Sequence, residues 1–447
     1  MRRIFILLNL IYFVQVNAQD KVNSTEAKQD YTFSLKQAIE YAVKNNYTSI
    51  NASRDIEAAK QKKWETTTMG LPQINGKLNY QNSFKIASNL ITVEGRPAIL
   101  TLGDYNSADA GLSLSQLIFD GSYLVGLESA RTYLKISQNA QKKTSQEITE
   151  LTTNAYGNVL LAEESIKIVE RNKAILEKTL RETGETYKNG FLEEEAVERI
   201  QITLASVNST LDYATRMRAI ATNMLKLLMG IELNEEITLT DKLDNLTTQN
   251  IDMALLGETF SVENNIDYQI EKNVEESKRL LLKLERSKAL PSLGAQVNFG
   301  YNTFSSRFGD LVSADQKWYN YSNAGIALNV PIFSSFGRSS RTQQAKIAFE
   351  QAKTKVLETE QTLKLQYQKA KSDYEYSVAQ YNSAKSTLNL SERIEGKQQV
   401  KFKEGLSTSF EFTEAQRQLY TAQQDYLQAM VDIINKRAAL EKIINKN

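Results

Sequence analysis

The chain has 447 residues, with 54 basic and 53 acidic side chains, no histidine and no cysteine. Such a balance offers no basic footprint for nucleic acid. Thiolate nucleophiles, imidazole bases, His/Cys metal clusters and disulfides are all excluded, and no cofactor is expected. Only 4 prolines and 19 glycines suit a chain dominated by long uninterrupted helices.

Arg2-Arg3 precedes the apolar run Ile4 to Val14 and then Val16-Asn17-Ala18, the pattern of a secretory signal peptide (residues 1–18) cut after Ala18. The run falls short of the roughly 20 apolar residues that span a bilayer. Residues 19–34 are expected to be a flexible lead. A helix is predicted from Leu35 to Gly70, where Gly70-Leu71-Pro72 stops it. The period then becomes two: Ile74, Gly76, Leu78, Tyr80 and Phe84 alternate with Gln73, Asn75, Lys77, Asn79 and Gln81, predicting a strand over 73–84. Residues 86–108, with Gly95, Pro97 and Gly103, read as a loop. A second strand is predicted over 109–119, before Asp120-Gly121 opens a helix from 122 to 187.

The second half repeats this order. Asn45-Asn46 … Leu71-Pro72 recurs 219 positions later as Asn264-Asn265 … Leu290-Pro291. Ala110-Gly111-Leu112 matches Ala324-Gly325-Ile326 at an offset of 214, and Gly190 matches Gly405 at 215. The chain therefore divides into a first repeat (35–229), a linker (230–251) and a second repeat (252–447). The second repeat is predicted to hold a helix over 252–289, strands over 293–303 and 321–333, and an intervening loop over 304–320 that carries Trp318 and Tyr319.

Four alternating segments with aromatic residues near their ends fit outer-membrane β-strands, and an amphipathic soluble sheet is the alternative. Four strands cannot close a barrel, since the smallest bacterial barrels have about eight. An open edge in lipid leaves backbone groups unsatisfied. The membrane reading therefore requires oligomerisation, and these strands alone leave the number of copies open. The long helices show near-heptad spacing, as in Ile148, Leu151, Ala155, Val159, Ala162 and Ile166, and again in Phe412, Ala415, Leu419, Ala422, Tyr426 and Ala429. This predicts coiled-coil packing, with the alanines allowing close approach.

In these motifs the chain resembles the TolC-like outer-membrane efflux family over nearly its whole mature length. The likeness lies in the two Leu-Pro junctions, in Gly111-Leu112-Ser113-Leu114 … Phe119-Asp120-Gly121 with its copy ending Val330-Pro331-Ile332-Phe333, and in Gly405-Leu406-Ser407-Thr408-Ser409-Phe410-Glu411-Phe412-Thr413-Glu414-Ala415. The resemblance implies a mostly helical fold with membrane β: four transmembrane strands per chain, and a trimeric barrel of about 12 strands continued by a helical periplasmic tunnel. Helices 122–187 and 334–395 would run its length. Helices 35–70 and 192–229 would stack end to end, as would 252–289 and 407–445, with segment 230–251 and the C-terminus forming an equatorial belt.

The resemblance also places sites. Glu411 and Glu414 fall where family members ring the periplasmic aperture with carboxylates, implying mutual repulsion, raised pKa values and cation attraction. An acidic stripe on a solvated coil is the plainer reading of such a pair. Phe402 stands where the family's latch has a tyrosine, Ala196 where it has an acid, and Ser407 where it has an arginine. The polar latch is thus not expected, and Phe402 is expected to act by packing. Gly190, Phe191, Leu192, Gly405, Leu406 and Ser407 form the tips that would meet an adaptor, although both glycines also read as helix terminators. Glu193-Glu194-Glu195 reads as a helix N-terminal charge cluster.

The function implied is an outer-membrane exit duct without enzymatic activity. It would be a homotrimer that works with a periplasmic adaptor and an inner-membrane pump, in tripartite efflux or type I secretion, with small amphiphiles or drugs favoured as cargo. The alternative is a periplasmic coiled-coil adaptor or structural scaffold without channel activity. An exported enzyme using paired carboxylates is disfavoured, since no globular pattern supplies a cleft.

Overall fold

A computed structural model describes residues 31–446 apart from 87, 94 and 102. The signal peptide and most of the lead lie outside the described residues. Tyr31–Phe33, expected to be flexible, instead forms strand β1, because it pairs in parallel with a strand of the linker.

Repeat one begins with α1 (Leu35–Asn45), entered through a Ser34/Gln37 capping box, and α2 (Tyr47–Thr68). It continues through β2 (Gln73–Asn82), β3 (Ser88–Val93), β4 (Arg96–Thr101) and β5 (Asn106–Asp120). The long α3 (Gly121–Lys188) and then α4 (Glu194–Met229) complete it. The linker contributes β6 (Ile237–Leu239) and α5 (Leu243–Gln249). Repeat two holds α6 (Ile266–Ser287), β7 (Ser292–Ser305), β8 (Tyr319–Asn329), α7 (Gly337–Lys403) and α8 (Ser409–Ile444). The two long helices, of 68 and 67 residues, each reach about 100 Å at a rise of ~1.5 Å per residue.

Several sequence boundaries are corrected. The helix expected over 35–70 breaks at Asn46, whose extended ψ interrupts it between α1 and α2. The helix expected from 252 starts only at Ile266, after two short 3-10 turns at Met253–Gly257 and Val262–Asn264. The loop 86–108 contains the β3–β4 hairpin, turned at Gly95 with φ +80. The strand expected to 333 ends at Asn329, two residues before Pro331, which has no N–H to give a ladder.

The sheet order is β2-β5-β7-β8, antiparallel throughout, with β2 and β8 at its edges. Below it α3 packs against α2, α4, α6 and α8, while α7 packs against α6 and α8. The main core lies at the level of the linker, where Tyr156 of α3 and Tyr374 of α7 are buried. The Tyr156 hydroxyl lies 3.0 Å from both the Phe33 carbonyl and the Asp241 carboxylate. The Tyr374 hydroxyl donates to the Asn250 carbonyl at 2.7 Å and accepts from the Asp252 N–H at 2.8 Å. Each long helix thus fastens the linker through a buried phenol, α3 at its middle and α7 at its C-terminal end.

The duplicated asparagines splice the short helices. Asn46 caps α2 through the Thr48 N–H at 2.8 Å, while its side-chain amide donates to the Leu228 carbonyl in the last turn of α4, also at 2.8 Å. Asn265 does the same for α6, with Asp267 N–H at 2.9 Å and the Ile443 carbonyl of α8 at 2.9 Å. One buried side chain thereby satisfies an orphan donor of one helix and an orphan acceptor of the next. The helices that accept these amides, α4 and α8, both end in left-handed residues, Gly230 (φ 71) and Asn445 (φ 59).

Replacing Asn265 by Ala is expected to cost about 2 kcal/mol in thermal or denaturant unfolding followed by circular dichroism. Asn265→Asp, which keeps the capping oxygen but loses the donor, should recover only part of that. Gly230→Ala should cost more than Gly190→Ala, since both need φ near +70 but only at Gly230 would a Cβ strike the Asn45 carbonyl.

Candidate functional site: the barrel sheet and the helical tips

Register places the apolar positions of the four strands side by side. Leu78 faces Ala110, Leu112 faces Phe299, Leu114 faces Val297, and Ala295 faces Ile326. This face is solvent-exposed in the single chain: Leu78 is 77% exposed, Ile326 74% and Leu328 64%. A continuous exposed apolar face of this kind marks a lipid or protein contact. The opposite face carries Lys77, Asn79, Asp109, Ser113, Asn298, Tyr321 and Asn323. Here Tyr321 donates to Asp109 at 2.8 Å, and Asn298 to Asn323 at 2.9 Å. Gly300 lies beneath the Tyr321 ring, where a Cβ would come within 2.7 Å of the hydroxyl. Among the described residues no helix is long and apolar enough to cross a membrane.

At the far end of the helices, α3 and α7 each finish in a glycine of positive φ, Gly190 (78) and Gly405 (70). Phe191 N–H returns to the Thr186 carbonyl, and Leu406 N–H to the Lys401 carbonyl, closing the last turns. Phe191 and Leu406 project at 81% and 78% exposure, and Leu192 is half-buried. The two tips sit together: Lys403 pairs with Glu182 at 3.1 Å, and the Arg199 guanidinium lies 5.6 Å from the centre of the Phe410 ring.

Phe402 is buried, stacked on Phe412 with ring centroids 5.1 Å apart and planes within 4°. Val169, Leu176, Ile200 and Val207 complete this cluster between the two helix pairs. Ala196, at the position of the family's acid, is also buried. In this chain the aromatic side chain therefore lies in a dry packing site.

Glu411 and Glu414 are differently employed. Glu411 closes a capping box with Thr408: it accepts the Thr408 N–H at 3.0 Å and the Ser407 hydroxyl at 2.8 Å. Glu414 pairs with Arg417 at 2.6 Å. The raised pKa values expected for a carboxylate ring are not those of the chain itself. The Ser407 hydroxyl and then the Thr408 N–H hold Glu411 below its ordinary value, and Arg417 and then Gln418 do so for Glu414. The Ser407 hydroxyl also lies 3.1 Å from the Gln398 side-chain amide.

Three features escaped the sequence reading. The box Thr408-x-x-Glu411 is a plain helix-start signature, and it uses one of the two acids of the Glu411/Glu414 pair. Tyr156 and Tyr374 fall 218 positions apart, close to the repeat offset. Glu395 stands one heptad before Phe402, on the buried stripe, and burial raises its carboxyl while a hydrogen bond from Gln416 opposes the shift.

Comparison with known proteins agrees with this architecture. Residues 39–231 and 275–446 match the family described as outer membrane efflux protein. The outer membrane protein TolC of Vibrio cholerae is 24% identical over 344 residues, covering 73% of this chain and 74% of that one. The CusC channel superposes with a TM-score of 0.74 at 17% identity, covering 96% of each chain. The open-state MtrE channel of Neisseria gonorrhoeae gives 0.71 at 17% identity, covering 92% of this chain and 88% of its own. With most of its length matched in two segments that follow the internal duplication, this chain belongs to the outer membrane efflux protein family, as a non-enzymatic duct with its helices in the periplasm.

Proposed function

We propose that this chain, as a homotrimer, is the exit duct of a tripartite efflux system. It would take small amphiphiles from an inner-membrane pump through a periplasmic adaptor. The observation that carries the reading is the join between an amphipathic four-stranded sheet and helices about 100 Å long. A sheet with one apolar and one hydrogen-bonded polar face suits lipid outside and water inside. Helices of that length span distance rather than enclose a cleft. On this reading the inner-membrane pump supplies the energy and the duct is passive.

On this reading the exposed Phe191 and Leu406, with Gly190, Leu192, Gly405 and Ser407, form the surface an adaptor grips. The Phe402–Phe412 stack, rather than a polar latch, holds the tip coils together. Glu411 and Glu414 line the aperture as compensated carboxylates, with Arg417 beside them.

Single-channel recording in a planar bilayer tests the duct. Wild type is expected to show discrete conductance that Phe402→Ala increases, because removing a buried aromatic side chain costs about 3–5 kcal/mol of packing. Glu411→Gln/Glu414→Gln should reduce cation preference. A wholly soluble periplasmic protein without conductance would instead support the scaffold alternative.

The tip should also respond to acid. Glu411 has a folded pKa below its unfolded value, so its contribution is present above the unfolded value and lost as pH falls through the folded one. The protection of the Thr408–Phe412 amides relative to their intrinsic exchange rates is therefore expected to fall as the pH drops through and below the ordinary carboxylate range. Glu411→Ala should abolish that pH step, and a step unchanged in the variant would assign it to another group.

A further inference from the structure

We infer that the membrane-proximal helix ends form a cationic collar that binds anionic phospholipid, with a headgroup site in the groove between α6 and α7. The inference goes beyond the duct reading and rests only on the sheet lying in the outer membrane.

Charge is sorted by distance from the sheet. α6 runs towards it, and between Asp267 and Ser277 it holds Asp267, Glu271, Glu275 and Glu276 against Lys272 alone. From Lys278 to Lys288 the bases are Lys278, Arg279, Lys283, Arg286 and Lys288, against Glu285 alone. Taken by itself, that order would suit the helix dipole, which favours cations near a C-terminus. α7 runs the other way and separates the two explanations. It starts at the sheet with Arg338, Arg341 and Lys346 and has no acid before Glu350. Cations there oppose the dipole. The start of α3 behaves likewise: between Gly121 and Gln146, Arg131, Lys135, Lys142 and Lys143 stand against Glu128 alone. Nearness to the sheet, not helix direction, is what these three ends share.

The groove concentrates this charge. Arg279, Lys283 and Arg286 of α6 and Lys346 of α7 line a space of about 330 Å³, together with buried Leu282 and half-buried Phe349. Small-molecule sites begin near about 300 Å³, so a single headgroup fits the volume. The acids nearby are already engaged. Glu128 takes Arg279 at 3.2 Å and Lys283 at 2.5 Å, and Glu276 takes Arg279 at 2.7 Å. Glu350, the one acid lining the groove, takes Lys353 at 3.1 Å. Arg286 and Lys346 are exposed and, among the described residues, make no ion pair. The groove therefore keeps two uncompensated cations for an incoming phosphate.

The neighbouring surface favours a lipid over a dissolved anion. Between the strands and the collar lies an apolar rim, where Leu290, Ile332, Phe333 and Phe336 are all exposed, Ile332 at 90%. Arg286 comes four residues before Leu290. Arg338 donates to the Pro331 and Ile332 carbonyls at 3.0 and 3.2 Å, so the first cation of α7 is tied to the rim itself. A dissolved phosphate would need the cations alone. Apolar side chains beside them match a molecule with an anionic head and acyl chains.

Native mass spectrometry of the full chain tests the site, in mixed micelles holding phosphatidylglycerol and phosphatidylcholine of identical acyl chains in equal amount. Wild type is expected to retain phosphatidylglycerol preferentially. Arg286→Gln/Lys346→Gln should weaken that retention on the order of tenfold. Arg216→Gln/Arg218→Gln, which removes two exposed charges from α4, should leave it unchanged. Arg286→Lys/Lys346→Arg keeps the charge and should bind as wild type does. Equal retention of both lipids by wild type, or an undiminished preference in Arg286→Gln/Lys346→Gln, would overturn the inference. Loss in the charge-keeping variant as well would assign the effect to packing, with the same consequence. Displacement of the lipid by an equal concentration of glycerol 1-phosphate would show a site for phosphate alone and remove the lipid from the account.

Discussion

A peptide group left bare in hydrocarbon costs several kcal/mol, and no side-chain arrangement on the sheet's faces compensates for it. In this protein β2 and β8 are the strands whose outer edges must be satisfied. That requirement explains why the apolar face is so regular: a sheet held by its backbone ladder has to keep every side chain on its side. It also explains the exposed large apolar residues along α4 and α7, among them Ile220, Leu227, Leu365 and Tyr376. Such residues are costly on an isolated helix in water. They are sensible once barrel closure brings several helical columns side by side.

The helical part solves a second problem, the cost of ending a helix. Each repeat builds one column from one long helix and the other from two short ones, and every break leaves orphan backbone groups. Asn46 and Asn265 satisfy those groups on both sides of the break with a single buried amide each. The breaks coincide with the level of the linker, where Tyr156 and Tyr374 fasten it to the long helices. The buried core is therefore richest where the helices are discontinuous, and the unbroken stretches rely on narrow heptad stripes.

The sequence disclosed the parts governed by periodicity. Alternation located four strands to within a few residues, and the duplication ordered the halves. What it concealed was decided by single residues or by distant contacts. Helical spacing runs straight through Asn46, so the break depends on a carbonyl 182 residues away. Residues 252–265 carry enough apolar residues to look helical, yet Tyr374 and Tyr367 take their backbone groups and leave only short turns. The β3–β4 hairpin lay in a segment whose glycines suggested only a loop. At the tip, two acids were legible as acids, but the local donors that occupy them, Ser407 with Thr408 and Arg417, set their protonation.

The repeats have diverged unevenly, and the pattern follows the physics of each environment. The strands keep register through both hairpins, because a slip of one residue would move every side chain to the wrong solvent. The tips, which end in water, have no such constraint. The second tip enters α8 through the Thr408–Glu411 box, whereas the first enters α4 at Glu193 with no side-chain cap and relies on Glu194 and Glu195 against the helix dipole. The strand-to-helix junctions also differ: Asp120 caps α3 through the Ser122 and Tyr123 amides, while Ser335 and Phe336 lead into α7 through left-handed backbone. A left-handed aromatic residue is an energetic cost that a membrane-buried ladder would not tolerate. Phe336 lies seven residues beyond Asn329, the end of β8, outside the sheet's ladder, where the duplicated halves were free to become different.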